Sequence, residues 1–303
     1  MTAATAGLTL LVDASSLIYR ALFSTPDTVT SPDGSPINAA HGFLGMLARL
    51  ISDHDPDFIC CATDEDWRPE WRVELIDSYK SIRAEPGSAQ EDAEDLLEPQ
   101  MPPLFEILEG CGIPIVGHPG SEAEDVIGTL AERAPGKVGI VSGDRDLFQL
   151  VRDPKIVVLY PRRGVSQLDV VDESYIEARY GIPGRAYRDF AVLRGDPSDG
   201  LPGVRGIGEK LASSLVTRYG SLDAIIEEAA STDEGGLVLS KVRREIDYVK
   251  RAVQVVAIPT DLPIPEVDLA RPRVEPAEAV YEAAKRSGLE GALRRLVAAF
   301  TGE

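Results

Sequence analysis

Short apolar runs closed by an acid or a turn residue alternate, through the first half of the chain, with longer stretches whose apolar residues recur every three or four positions. Residues 8–12 (LTLLV) are one such run and end at Asp13; residues 58–62 (FICCA) end just before Asp64; residues 138–141 (VGIV) end at Ser142-Gly143, with Asp144 and Asp146 beyond. Runs of this length predict buried strands. Further strands are predicted over 113–116 and 156–160, the latter followed by a turn at Arg163-Gly164. Helical spacing covers 17–23, 39–51, 104–109, 123–131 and 172–180. It returns from about Glu209 and in the tail after Pro276, through Val280, Ala283, Leu289, Leu293 and Leu296. The alternation predicts an α/β fold, a mostly parallel central sheet with flanking helices. Three strands then deliver acids to one carboxyl edge, where open α/β sheets place their ligands.

Residues 120–146 (GSEAEDVIGTLAERAPGKVGIVSGDRD) join a helix start to a strand end. Ser121 stands at an N-cap position with Glu124 three residues on. Glu122 and Asp125, three apart, share a helix face. Glu122, Glu124, Asp125, Asp144 and Asp146 therefore converge on one edge. Carboxylates so crowded cannot all stay ionised without a counter-charge, and an all-oxygen donor set favours Mg²⁺ or Mn²⁺. A capped helix with an acidic first turn has the same composition, and Asp13 serves equally well as the cap of the helix that follows it. The union of two acidic segments in one unit, with Asp13 and Asp64 at two more strand ends, favours a metal site.

The 303 residues, 44% of them hydrophobic, have room for one large or two modest domains. No segment approaches a membrane span, and the amino end lacks the charged region and long apolar run of a signal peptide. A cytoplasmic protein with no membrane partner is expected. Cys60, Cys61 and Cys111 are odd in number, without C-x-x-C spacing, and read as reduced, buried small hydrophobes. His41, His54 and His118 lack zinc-ligand spacing.

A net charge of −19 runs against the basic footprint usual for nucleic-acid binding. Ions held among carboxylates offset such charge locally, and arginines and lysines elsewhere can still form a contact stripe. Residues 67–102 change character, from the basic, aromatic WRPEWRVELIDSYKSIR to the acidic AEPGSAQEDAEDLLEP. The Pro86-Gly87-Ser88 break predicts an excursion over the sheet's carboxyl edge that is not itself core. Arg72, Lys80 and Arg83 there are placed either to engage a phosphate or to form a solvated charged face. Residues 193–219 (LRGDPSDGLPGVRGIGEKLASSLVTRY) bring Asp196 and Asp199, which can add to the acid cluster. Gly203, Gly206 and Gly208 let the backbone approach a phosphate closely, and the helix that follows points its amino end the same way. With Lys210, this suits a sequence-independent grip on a DNA backbone.

In combination, LLVDASSLIYRA, SYKSIR, GSEAEDVIG, SGDRDLFQL and GDPSDGLPGVRGIGEK resemble the 5′ nuclease family: the 5′→3′ exonuclease domain of bacterial DNA polymerase I, phage 5′ nucleases and flap endonucleases. The resemblance spans about residues 8–275, and the chain looks like a stand-alone member. It implies a PIN-like α/β nuclease core over 1–184 with a helical arch at about 67–102, a helix-hairpin (H3TH) domain over 185–275, and a C-terminal helical tail over 276–303. It implies that Asp13, Asp64, Glu122, Glu124, Asp125, Asp144, Asp146, Asp196 and Asp199 are the metal-site acids, for about two to three Mg²⁺ or Mn²⁺ ions. Lys80 and Arg83 match the basic pair that reaches the scissile phosphate from the arch, and Arg72 a further basic position of it. Leu193, Arg194, Pro202, Val204 and Ile207 match positions whose carbonyls hold K⁺, beside DNA-contacting residues 206–211, Leu211 included.

Two positions depart from the family pattern. Glu124 stands where an Asp is usual, which bears on metal position and on the preference between Mg²⁺ and Mn²⁺. Gly200 stands where an Asn is usual, which removes a local hydrogen bond but no metal ligand. The implied chemistry is phosphodiester hydrolysis with no side-chain nucleophile, on 5′ flaps and 5′ ends of DNA, in replication and repair. Ions held by Asp13, Asp64, Glu122, Asp125 and Asp144 activate a water and bind the phosphate, while Asp146, Asp196 and Asp199 hold or tune a further ion. A monomer in the cytoplasm, associated with the nucleoid, is expected. Two other readings stay open: a catalytically inactive metal-containing DNA-binding scaffold, against which the complete acid set argues, and a related nuclease acting on RNA or RNA–DNA hybrids.

Overall fold

The computed structural model describes residues 7–231, 236–268 and 275–302. The amino end read above, and parts of the expected 185–275 domain, lie outside the described residues.

Six strands form one sheet: β1 (Leu8–Asp13), β2 (Phe58–Ala62), β3 (Ile115–Val116), β4 (Lys137–Val141), β5 (Ile156–Pro161) and β6 (Leu168–Val171). Their order is β3-β2-β1-β4-β5-β6; all neighbours are parallel except β5 and β6. Register explains the acidic edge. Asp13 stands opposite Ala62, and Val12 opposite Val141, so Asp13, Asp64 and the turn after β4 leave the sheet side by side.

Helices α1 (Ala14–Ser24) and α2 (Asn38–His54) follow β1; α3 (Glu70–Leu75) and α4 (Ala89–Leu97) lie in the excursion after β2. Next come α5 (Met101–Gly110), α6 (Ala123–Arg133) and α7 (Glu173–Tyr180). The remainder is helical: α8 (Tyr187–Arg194), α9 (Glu209–Tyr219), α10 (Leu222–Ser231), α11 (Gly236–Arg244), α12 (Ile246–Val256), then α13 (Glu278–Arg286) and α14 (Glu290–Thr301) in the tail. Among the described residues, no helix is long and apolar enough to cross a membrane.

Successive strand residues face opposite ways, and both faces are covered, which is why these strands read as unbroken apolar runs. Leu10, Val12, Ile59 and Cys61 enter one core with α1, α2, α5 and the tail residues Leu289, Leu293, Leu296 and Phe300. Leu11, Cys60, Val138 and Ile140 enter the other, which runs on without a break into α8, α9 and α12. The three cysteines are free and buried, and burial pushes the Cys60 and Cys111 thiols up to about 12.

Four local expectations are corrected. The strand predicted over 113–116 is only two residues long, because Pro114 has no N–H to extend the ladder. The sheet gains β6, an antiparallel edge strand whose short run, with Val170 facing solvent, carried too weak a pattern to read. The N-cap of α6 is Glu122, not Ser121, whose hydroxyl lies 3.1 Å from His118 Nδ1 instead. Finally, the 67–102 excursion is core in its first third. Arg72, Ile76 and Tyr79 are buried there, whereas Ile82 and Leu96 stay exposed.

Candidate functional site

Asp13 ends β1 and caps α1, so its two readings coexist. Its Oδ1 accepts the Ser16 N–H at 3.0 Å and its Oδ2 the Ser142 hydroxyl at 2.5 Å. Burial, then the nearby Asp64, pushes its carboxyl up to about 7. Asp64 accepts the Ala123 N–H at 2.7 Å, while Ser15 Oγ accepts its own N–H at 2.9 Å. Desolvation raises this carboxyl too, although the residue stands at the solvent-facing mouth of the site. Beyond β4, the Asp144 N–H bonds to Ser142 Oγ at 3.0 Å, and Asp144 Oδ1 accepts the Asp146 N–H at 2.8 Å. Ser142 thus fixes Asp13 and Asp144 together.

The first turn of α6 forms a capping box: the Glu122 side chain accepts the N3 N–H, and Asp125 Oδ2 accepts the Glu122 N–H at 3.1 Å. Glu124 points out of that turn. One oxygen each from Glu124, Asp144 and Asp146 lie within 4.8 Å of one another. Burial raises Glu124 and Asp146 well above the ordinary carboxylate range, Asp146 further because Asp144, Asp199 and Asp196 surround it. Asp199 is pushed up to about 6 by burial, against the pull of Lys80.

The cations are divided unequally. Arg72, expected to engage a phosphate, is wholly buried and turned to carboxylates in this structure. Its Nε donates to Val255 O at 3.1 Å and its Nη1 to Glu122 at 2.5 Å. Its Nη2 meets Asp125 at 2.7 Å and Glu124 at 3.1 Å. Four of its five N–H donors are thereby directed to protein oxygens. The Tyr79 hydroxyl also donates to Glu122, at 2.6 Å. Lys80 is nearly buried, with Nζ on Glu122 and 3.2 Å from Trp67 O. Arg83 pairs with Asp199 at 2.6 Å but leaves 41% of its side chain exposed. Asp196 pairs loosely with Arg145 at 3.4 Å and Arg194 at 3.5 Å. Among the described residues, no ion pair within 4.0 Å reaches Asp13, Asp64, Asp144 or Asp146. A crowded, oxygen-only set without counter-charge fits a hard divalent cation.

The excursion is seated on the turn that carries Asp196 and Asp199. The Lys80 N–H donates to Asp199 O at 2.9 Å and the Ser78 hydroxyl to Gly200 O at 2.7 Å. Gly200 has φ +70°, and a Cβ there would sit 1.8 Å from Ser78 O. The departure from Asn is thus a steric condition for this docking.

In the hairpin between α8 and α9, Leu193 O accepts the Val204 N–H at 3.0 Å and Val204 O the Ile207 N–H at 2.8 Å. Gly203 has φ +67°, and a Cβ on it would lie 2.5 Å from Arg194 O, so only glycine closes this turn. Gly206 O accepts from Lys241 Nζ at 2.8 Å. Gly208 caps α9, whose first-turn N–H groups, those of Lys210 and Leu211 among them, have no partner within the helix. Lys210 is exposed, and Leu211 turns its side chain to the core. Tyr79, Ser142, Ser15 and Gln149, which hold the acids in place, were not read from the sequence. All four lie inside the motif segments (Tyr79 in SYKSIR, Ser15 in LLVDASSLIYRA, Ser142 and Gln149 in SGDRDLFQL), but none was singled out for this role.

A family model described as 5′-3′ exonuclease, N-terminal resolvase-like domain, matches residues 8–181; a second, 5′-3′ exonuclease, C-terminal SAM fold, matches residues 182–279. The chain is 47% identical over 302 residues to a 5′-3′ exonuclease of Streptomyces coelicolor, across 96% of this chain and 100% of that one. It is 41% identical over 306 residues to a 5′-3′ exonuclease of Mycobacterium tuberculosis, across 94% and 95%. In fold it is similar to the bacteriophage T5 D15 flap endonuclease, solved in a pseudo-enzyme-product complex with DNA and metal ions, with a TM-score of 0.66, 15% identity, and coverage of 97% and 98%. An acid-tipped, mostly parallel sheet joined to a helical hairpin region, matched over residues 8–279 by these models and across 96% of the chain by the first relative, has one meaning: the chain belongs to the 5′-3′ exonuclease family.

Proposed function

We propose that this chain is a metal-dependent nuclease that hydrolyses DNA phosphodiesters as a 5′→3′ exonuclease and 5′-flap endonuclease. The observation that carries the reading is the convergence of Glu124, Asp144 and Asp146 at the sheet edge, beside Asp13 and Asp64, with no direct ion pair to Asp13, Asp64, Asp144 or Asp146 among the described residues. These residues would hold Mg²⁺ or Mn²⁺, two to three ions in all, with Asp196 and Asp199 on the far side. Bound there, such ions supply a Lewis acid that makes a water nucleophilic and draws charge from the scissile phosphate. Arg83, partly exposed at the rim, and Lys80, buried beside Glu122, supply cationic donors to the phosphoryl oxygens.

The amino end of α9, with Gly206, Gly208 and Lys210, grips the duplex backbone without reading sequence. The hairpin carbonyls of Leu193, Arg194, Pro202, Val204 and Ile207 are the proposed K⁺ ligands. The Leu193 and Val204 oxygens each accept one N–H and keep a lone pair for an ion. The working division is a nuclease core over 1–184, a hairpin domain over 185–275 and a tail over 276–303, in a monomer working at the nucleoid.

The test is cleavage of a 5′-flap duplex labelled at either end, in Mg²⁺, Mn²⁺ or EDTA, with binding followed in Ca²⁺. Metal-dependent cutting near the flap junction is expected, with weaker duplex binding when Li⁺ replaces K⁺. Binding without cutting in either metal would replace this reading with that of an inactive scaffold.

A further inference from the structure

We infer that Gln149 is a positioning residue of the acid cluster, tying the turn that carries Asp146 to the end of α12, the same helix that receives the hairpin. The inference rests on the nuclease reading above. Gln149 lies in the single 3₁₀ turn Asp146–Leu150 that follows Asp144. Its Nε2 donates to Asp146 O at 2.9 Å and to Val256 O at 2.9 Å, and its Oε1 accepts the Ile258 N–H at 3.2 Å. Both donors and the acceptor of the amide are engaged, so a side chain with three free torsions is held in one orientation.

The partner carbonyl belongs to the last turn of α12, where helix geometry leaves C=O groups without internal partners. The adjacent carbonyl, Val255 O, accepts from Arg72 Nε at 3.1 Å. Arg72 in turn holds Glu122, Glu124 and Asp125. Two successive carbonyls of one helix end therefore anchor both sides of the acid cluster, the α6 side through Arg72 and the Asp146 side through Gln149. Glu124 and Asp146 are two of the three carboxylates that converge within 4.8 Å. Their separation is set through α12.

Nearer its other end, α12 presents Tyr248, whose hydroxyl accepts the Gly203 N–H at 2.9 Å. The eight steps from Tyr248 to Val256 span about 12 Å of helix. One rigid element thus connects the hairpin that grips DNA to the carboxylates that hold the ions. A purely structural role for Gln149, docking the helical region on the sheet, is separable from positioning. Arg133 docks the same trailing segment at the far end of α6, through Leu262 O at 2.7 Å and Ile264 O at 3.0 Å, away from the acids.

The experiment compares Gln149→Met, which keeps length and volume but loses the amide, with Arg133→Met and wild type. Mn²⁺ affinity is measured by electron paramagnetic resonance, kcat and KM on a 5′-flap duplex, and Tm in EDTA. Gln149→Met is expected to weaken Mn²⁺ binding about tenfold and lower kcat about tenfold, with KM within about twofold. Arg133→Met is expected to lower Tm while leaving Mn²⁺ affinity and kcat at wild-type values. Should Gln149→Met not fold, Gln149→Asn, one methylene too short to make both donated bonds, is read by the same measurements. A folded Gln149 variant with wild-type Mn²⁺ affinity and kcat overturns the inference, as does an equal loss in Arg133→Met. A wild-type chain that binds Mn²⁺ without cutting overturns the nuclease reading instead, and the Mn²⁺ comparison still decides the role of Gln149.

Discussion

The acid cluster has two halves of like composition and opposite state. On the α6 side, Glu122, Glu124 and Asp125 close around the buried Arg72, and Glu122 takes Lys80 as well. On the side of β1 and β4, Asp13, Asp64, Asp144 and Asp146 share hydrogen bonds with Ser142, Ser16, Ala123 and one another but, among the described residues, make no direct ion pair; Lys80 and Arg194 act on Asp64 and Asp146 only from farther off. A buried charge that is paired holds the fold together, and one that is left unpaired strains it until a ligand arrives. On the proposed reading, the first half holds the fold and the second is where an ion would bind.

Removing each half's central residue breaks the comparison in opposite directions. Arg72→Met leaves Glu124 and Asp125 without an ion-pair partner and Glu122 with Lys80 alone, and is expected to destabilise the metal-free protein by about 3–5 kcal/mol. Urea unfolding in EDTA measures this; a loss under about 1 kcal/mol would show that the carboxylates protonate and do without the arginine. Asp144→Asn instead removes charge from the open half. It is expected to lower kcat at least about a hundredfold, with DNA affinity in Ca²⁺ near wild type and metal-free stability unchanged or raised. Near-normal cleavage by Asp144→Asn would remove the open half from the chemistry.

The pH dependence of the metal-free protein sharpens the contrast. Asp13 titrates near 7 when folded against 3.8 ordinarily, and Asp199 near 6. The folded state therefore keeps protons that the unfolded chain releases, so their contribution to stability falls as pH rises from about 4 to 7 and is flat above. In EDTA, Tm is expected to be a few degrees lower at pH 8 than at pH 5.5, with Asp13→Asn flattening the decline. Mg²⁺ should raise Tm more at pH 8 than at pH 5.5, because it binds the ionised form. An equal rise at both pH values would place its binding elsewhere.

Much of the open half was legible in the sequence, because it depends on local pattern. An apolar run followed by Asp fixes where a parallel strand ends, and three such runs in register put Asp13, Asp64 and Asp144 on one edge. The closed half was not legible in the same way. Arg72 meets partners 50, 53 and 183 residues away, and nothing at its own position distinguishes a buried counter-cation from a phosphate contact. The shift of the α6 cap from Ser121 to Glu122 is a one-residue choice, decided by Asp125 returning to the Glu122 N–H. Gly200 read as a missing hydrogen bond, whereas it is what admits Ser78 O to the turn. Gln149 lay within SGDRDLFQL but its role was not readable there, because its partners Val256 and Ile258 come together with it only after α12 docks.

Glu124 belongs to both halves, and it gives the finest test. Its carboxylate lies 3.1 Å from Arg72 and also converges with Asp144 and Asp146. An Asp at this position, one methylene shorter, cannot reach as far toward the open side, while Arg72 keeps Glu122 and Asp125. Glu124→Asp is therefore expected to cost less stability than Arg72→Met, since the arginine keeps its two shorter carboxylate contacts, Glu122 and Asp125. It should weaken Mg²⁺ more than Mn²⁺, by about threefold, because Mg²⁺ demands near-ideal oxygen geometry. Competition of Mg²⁺ against bound Mn²⁺, followed by electron paramagnetic resonance, measures the change. If the competition is unaltered while stability falls, Glu124 belongs with the arginine alone, and the boundary between the two halves runs between Glu124 and Asp144.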